Sequence, residues 1–365
     1  MLPSSASSPI KESNGSLALE VSRAISSAVR WLESQQKENG SWSDPQHPAL
    51  SALALLALEK SKASDARVTA AIERRGFQYI RSFAKEDGGI YAEGLSNYNT
   101  SLCLLALLQG GDPADANLIS KARAFVEQQQ ASNMLRPELN GGIGYGPTGV
   151  SPKRQHPDLD NTLMGLEAVR ASLLLDKATE KPSASRLNWE AAIAFISRCQ
   201  NLSPAEPADI PGTERGGFNY YPSFSNAGEI ENSRGNKALR SSGTMSYAGL
   251  LSFIYADLPK EDPRLLAALD WLNRNYTLEE NPGLGQQGLY YYYHLMAKGL
   301  TAAGVASVSV NGKNVDWARE LAVRLVSQQE ASGMWVNSTG RWMEKDPVLV
   351  TSYAILTLSM LRDRL

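Results

Sequence analysis

One pattern recurs six times along the chain: a helix with a single apolar stripe, a turn of glycine and an aromatic residue, and a second helix apolar nearly all round. The recurrence, about every 45 to 70 residues, is the mark of a closed or stacked array of helix pairs. The first unit reads AVRWLESQQKENGSW and then PALSALALLALEK. Val21, Ile25, Val29 and Leu32 lie at helical spacing on its first helix, and the stretch from Leu50 to Leu58 is of the buried type. The second unit runs GFQYIRSFAKEDGGIY to NTSLCLLALLQGG, and the third KARAFVEQQQ through GGIGYGPTG to NTLMGLEAVRAS. The fourth joins AAIAFISRCQ, GGFNYY and GTMSYAGLLSFIYA through two long insertions. The fifth runs LAALDWLNRNY to QQGLYYYYHLMAKGL, and the sixth AVRLVSQQEASGMW to VTSYAILTLSML.

Helices apolar on every side belong inside and amphipathic ones outside, so twelve alternating helices predict two concentric rings. The expected fold is all-α, a single (α/α)6 toroid of six helix hairpins over residues 18–365, preceded by a disordered Ser/Pro-rich segment at 1–17. With 42% apolar and 20% charged residues the chain can bury a large core. Its net charge of −2 gives no footprint for nucleic acid. Neither a signal peptide nor a run of about 18 apolar residues stands out, so a soluble chain is expected. Cytoplasmic, membrane-peripheral and exported, signal-trimmed forms all remain compatible with it. Cys103 and Cys199 lie inside helical patterns without CxxC spacing, which predicts buried thiols and neither a disulfide framework nor a zinc module.

The first and last units carry Gln35-x4-Gly40-x-Trp42 and Gln328-x4-Gly333-x-Trp335, preceded on the outer helix by Trp31 and Leu325. This resembles the QW repeat of squalene-hopene and oxidosqualene cyclases, within the toroid family that also holds the prenyltransferases. Looser forms stand at 88–91, 141–145 and 216–220. The glutamine is expected to bond free backbone groups at a helix end and the tryptophan to pack on the next repeat. The zinc site that prenyltransferase beta subunits build from Asp, Cys and His is not expected. His294 is the only histidine of the late repeats, and no cysteine follows Cys199. No metal or other cofactor is predicted.

The third inner helix opens with His156-Pro157-Asp158-Leu159-Asp160-Asn161-Thr162. This is similar to the Asp-x-Asp-Asp-Thr motif of class II terpene cyclases, with Asn161 in place of the last Asp. The resemblance implies that Asp160 is a general acid protonating an alkene or epoxide, with Asp158 and His156 tuning it. The same residues also suit helix capping, worth about 1 kcal/mol per cap. Aligning the inner helices on Ser51, Thr100, Thr162, Thr244, Tyr292 and Thr351 puts Ala49, Tyr98, Ser242, Tyr290 and Leu349 level with Asp160, so no other repeat has an acid there.

The inner-helix N-termini also supply Met245 and the run Tyr290 to Tyr293. Tyr98, Asn161, Tyr247, Tyr290, His294 and Tyr353 are the candidate substrate-binding residues, Tyr290 and His294 sharing one helical face. Tyrosine faces stabilise a carbocation by about 0.5 to 2 kcal/mol each when water is excluded. The insertions at 201–215 and 221–242, the latter with Arg234, Lys237 and Arg240, have the length of lids or binding loops. Those cations, or Lys153 and Arg154, are candidates for a diphosphate, with a solvated basic loop as the plainer reading. His47 reads as a cap or surface residue. The leading expectation is a squalene-cyclase-like protein, in the isomerase or lyase class if active, binding an isoprenoid or triterpenoid in the barrel. Cyclases of this class usually set the acid between two helical domains, so a homodimer or partner chain completing the cavity and a peripheral membrane contact stay open. A non-catalytic toroid binding a lipid, peptide or protein is the alternative. A third is a carbohydrate-active (α/α)6 enzyme with Asp346 as a distant second acid.

Overall fold

The computed structural model describes residues 9–62, 68–146, 155–178, 184–202 and 210–365. Among them twelve α-helices alternate between two layers. The outer ones are α1 (Pro9–Ser34), α3 (Ala70–Arg81), α5 (Ala116–Gln128), α7 (Trp189–Cys199), α9 (Pro263–Arg274) and α11 (Trp317–Ser327). The inner ones are α2 (Pro48–Ser61), α4 (Ser96–Gly110), α6 (Leu159–Ala178), α8 (Gly243–Tyr255), α10 (Leu289–Ala302) and α12 (Pro347–Arg362). Each inner helix packs on the next, and α12 returns to α2, so the inner ring closes. Outer helices lie behind it, α3 on α2, α5 on α4, α9 on α8 and α1 on α12. This is the (α/α)6 toroid. Two short antiparallel hairpins, β1–β2 (Glu229–Glu231, Lys237–Leu239) and β3–β4 (Val308–Val310, Lys313–Val315), decorate the loops. The domain boundary expected at residue 18 falls inside α1.

The turns join neighbouring repeats more strictly than the sequence pattern suggested. Trp42 and Trp335 are fully buried, and their indole N–H groups donate to Leu32 O (2.7 Å) and Leu325 O (2.8 Å), carbonyls near the end of their own outer helix. The glutamine that does the bridging is one residue later than expected. Gln36 and Gln329, not Gln35 and Gln328, donate both to the turn carbonyls of Gly40 and Gly333 and to Ile72 O and Ala24 O on the next outer helix. Gln130 and Gln200 make the same pair of bonds in the third and fourth repeats. Gln35 points to Ser34, on the exposed side. The turn glycines Gly40, Gly88, Gly141, Gly216 and Gly333 share left-handed φ between 88° and 98°. A Cβ on any of them would meet a backbone carbonyl of the next outer helix at 2.0–2.7 Å, so both conformation and contact require glycine.

A second bond fixes the register of the inner helices. The second residue after each of these glycines donates its N–H to a hydroxyl on the inner helix: Trp42 to Ser51, Ile90 to Thr100, Ile143 to Thr162, Phe218 to Ser246 and Trp335 to Thr351. In the fourth repeat this is Ser246 rather than Thr244, which moves the alignment there by two residues. Both cysteines are buried and free. No helix among the described residues is long and apolar enough to cross a membrane.

Candidate active site

In four of the five anchored repeats the residue two before the hydroxyl stands at the top of the lumen, where a cavity of about 500 Å³ opens at the N-terminal ends of the inner helices; Ala49 of the first repeat is buried instead. Tyr98, Asp160, Thr244 and Leu349 line it at that level, and Tyr353 one turn below Leu349. Thr244, by this register, and Tyr291, by its bond to Asp160, line the cavity in place of Ser242 and Tyr290. The loops add Tyr145, Tyr220, His156, His47, Arg341, Trp342 and Met343.

Asp158 and Asp160 have separate jobs. Asp158 precedes α6 and is its cap: Asn161 N–H and Asn161 Nδ2 donate to its two oxygens, each at 2.8 Å. It is fully buried, and burial, with the neighbouring Asp160 charge, pushes its carboxyl up to about 7 against the opposing bonds from Asn161 and Tyr220. Asp160 is half-buried and faces the cavity. Its Oδ1 accepts the Tyr291 hydroxyl across the lumen at 2.6 Å. Burial raises this carboxyl above the ordinary range, and the Tyr291 bond opposes the rise.

The other expected residues divide between cavity and packing. His156 lines the cavity, but its ring lies on Tyr221 (4.2 Å between centroids) and its Nδ1 meets Pro157 O. The bond that reaches Asp160 comes instead from Tyr291. Asn161 is fully buried and committed to Asp158, so it turns away from the lumen. Tyr247 is wedged between α8 and α10, against Tyr292 and Gly299. Tyr290 packs edge-on to Tyr293. His294 sits beneath the cavity, stacked on Tyr353 at 5.4 Å. Burial and the Lys298 charge hold its imidazole well below the usual histidine range, hence neutral. His47 makes no cap bond to α2. Lys153 and Arg154 lie outside the described residues. On the basic hairpin Lys237 pairs with Glu229 at 2.9 Å.

Glu344 was not singled out by the sequence. Its carboxylate is buried and accepts Tyr291 N–H (2.8 Å) and Asn337 Nδ2 (2.6 Å), clamping the loop before α12 onto the start of α10. Burial raises its carboxyl and these bonds lower it. Asp346 caps α12 through Val348 N–H and also binds Ser43. Tyr145 and Tyr220, bonded hydroxyl to hydroxyl at 3.3 Å, belong to turns whose glycines looked purely structural. Among the described residues no group of three or more His, Cys, Asp or Glu side chains forms a metal-binding cluster.

No protein-family model matches the chain, and no curated protein sequence matches it significantly. Solved structures do share its architecture. A variant of the type II terpene cyclase MstE from Scytonema, in complex with geranylgeranyl dihydroxybenzoate as substrate, superposes with a TM-score of 0.55 at 12% identity, covering 96% of this chain and 99% of that one. A family 76 glycoside hydrolase from a bovine Bacteroides thetaiotaomicron strain gives 0.58 at 13% identity, over 93% and 77% of the two chains. An inactive variant of the α-1,6-mannanase GH76A of Salegentibacter, in complex with α-1,6-mannotriose, gives 0.57 at 10% identity, over 93% and 99%. At these identities the likeness is one of fold, and the chain is a toroid of the architecture that these terpene cyclases and glycoside hydrolases share.

Proposed function

We propose that the chain is a protonation-initiated terpene cyclase that folds an isoprenoid substrate in the lumen and starts its cyclisation with a proton from Asp160. One observation carries this reading: Asp160 is a carboxyl at the lumen wall that caps no helix, sits among aromatic side chains, and is pushed by burial toward its protonated form while Tyr291 supports the anion. Proton transfer adds hydrogen to a terminal alkene carbon of the substrate, and the Asp160–O–H electron pair stays on the carboxylate. Tyr291 donates to that carboxylate as it forms, which makes the acid stronger than burial alone would allow. The rings of Tyr98, Tyr353 and Tyr291 face the space in which the tertiary cation moves. Loss of a proton from the last cation completes a net isomerisation.

The cavity also speaks to size. At roughly 30 Å³ for a water-sized group, it takes on the order of 15 to 20 non-hydrogen atoms, a length that favours a sesqui- or diterpenoid chain over a triterpenoid. The prenylated substrate named for the Scytonema cyclase of the same fold supports the same class. A carbohydrate-active reading needs two free carboxyls roughly 5 to 10 Å apart. Of the candidate partners for Asp160, Glu344 clamps α10 and Asp346 caps α12, which weighs against it.

The test is incubation of wild type and Asp160→Asn with farnesyl and geranylgeranyl substrates in deuterated water, followed by mass spectrometry of the extracts. A cyclic product carrying one deuterium, made by wild type alone, is the expected result. Equal product from the Asp160→Asn protein overturns the assignment of the acid. A folded wild type that binds these chains and leaves them acyclic favours a binding toroid.

A further inference from the structure

Resting on the isoprenoid reading, the inference here concerns the other end of the substrate. Arg341 is the one lysine or arginine among the described residues lining the cavity. Its guanidinium lies over the Trp342 ring at 4.5 Å and donates through Nη1 to Gln287 Oε1 at 2.7 Å. No carboxylate of the described residues forms an ion pair with it. The neighbouring Glu344 is buried and already takes N–H bonds from Tyr291 and Asn337, so its charge is spent on α10.

The backbone that presents this arginine is strained. Trp342 and Met343 are consecutive non-glycine residues in the left-handed region, at φ 53° and 66°. Such conformations cost of order 1 kcal/mol or more each and persist where the surroundings impose them. Here the Glu344 clamp follows directly, and the Trp342 ring rests on Gly288, where a Cβ would come within 3.1 Å of it. The result is a cation held at the mouth, with most of its donors free, beside a lumen whose wall is largely aromatic and aliphatic and carries Asp160 as its acid.

We infer that the turn at Arg341–Met343 is a head-group clamp, and that the substrate is an amphiphile whose anionic head, a carboxylate or a diphosphate, binds Arg341 while its isoprenoid tail descends to Asp160. Recognition is a charge-assisted, bidentate contact of the kind a planar guanidinium makes with either anion. A head held at Arg341 would also orient the chain. The proton reaches the tail end farthest from the head, so the head group is retained through the reaction.

Binding tests this without any turnover. Isothermal titration calorimetry with farnesoic acid, farnesyl diphosphate and farnesol, on wild type and Arg341→Gln, separates head from tail. At least one of the two anions is expected to bind wild type about tenfold or more tightly than farnesol does, and the tighter of the two names the head. In Arg341→Gln that preference is lost while farnesol affinity stays within about twofold. Equal affinity of all three for wild type, or a preference that survives Arg341→Gln, overturns the clamp and leaves the isoprenoid reading standing. Failure of all three to bind overturns both.

Discussion

Asp158 and Asp160 stand two residues apart at a helix start, and the rotation between them sends one carboxyl to the backbone and the other to the lumen. The Asp motif was legible in the sequence because its members are contiguous, yet their division of labour was not, since capping and catalysis ask for the same residue types. Tyr291 shows the limit more sharply. In a run of four tyrosines every choice of register brings a tyrosine to the lumen, and the fifth repeat lacks the Ser/Thr hydroxyl that anchors the others. Two predictions belong to this scale. Tyr291→Phe removes the donor to Asp160, so its pKa rises further: turnover should fall roughly 10- to 100-fold while the high-pH limb of the rate profile moves to higher pH. An unmoved limb would separate Tyr291 from the acid. Asp158 ionises near 7 in the folded chain and near 4 when unfolded, so the folded state holds the extra proton between those values and stability declines as pH rises through that window. Asp158→Asn keeps a capping side chain, and the unpartnered Asn161 Oδ1 can receive its amide after a flip. The variant should therefore lose less melting temperature than wild type between about pH 5 and pH 8, by roughly 2 to 5 °C in a thermal scan.

Helices and turns were far more legible than side-chain directions. Six outer stripes and six apolar inner helices follow from periodicity alone, because burial on one side or on all sides leaves different patterns in the string. The glutamine was misplaced by one because two glutamines adjoin at 35–36 and again at 328–329, and both satisfy a loose spacing rule. Only the outer helix of the next repeat distinguishes them, and that is a contact across some 36 residues in the first repeat. Gln36→Ala and Gln329→Ala each remove the two bonds donated to backbone carbonyls, and Gln36→Ala also removes the acceptor of Arg75, so each should destabilise the fold by about 1 to 3 kcal/mol in chemical denaturation. Gln35→Ala, on an exposed side chain, should change stability by less than about 0.5 kcal/mol. Equal effects at both positions would refute the bridging assignment.

At the scale of the whole molecule, the toroid is bridged twice across its lumen by the same two helices. Asp160 and Tyr291 join α6 to α10 at the mouth, and two turns deeper Lys298 Nζ meets Glu167 Oε1 at 2.6 Å. Both deep side chains are less than one-fifth exposed. Breaking one partner leaves an uncompensated buried charge, so Lys298→Met should cost about 3 kcal/mol or more, and the double change with Glu167→Met should recover much of it. Closure of the ring was predictable from the count of six units, whereas the floor was not, because neither residue stands out from ordinary charged helix positions.

The central claim is that Asp160 waits in the lumen as a neutral acid. Infrared difference spectroscopy of Asp158→Asn against Asp158→Asn/Asp160→Asn tests it without a substrate, since the shared background change removes the neighbouring carboxyl of Asp158 and the remaining buried carboxyls cancel in the difference. The account predicts a protonated carboxyl band that persists above the ordinary aspartate range, about pH 4, and disappears with Asp160. A carboxylate band there, with titration only near pH 4, would leave Asp160 without a proton to give and contradict the account.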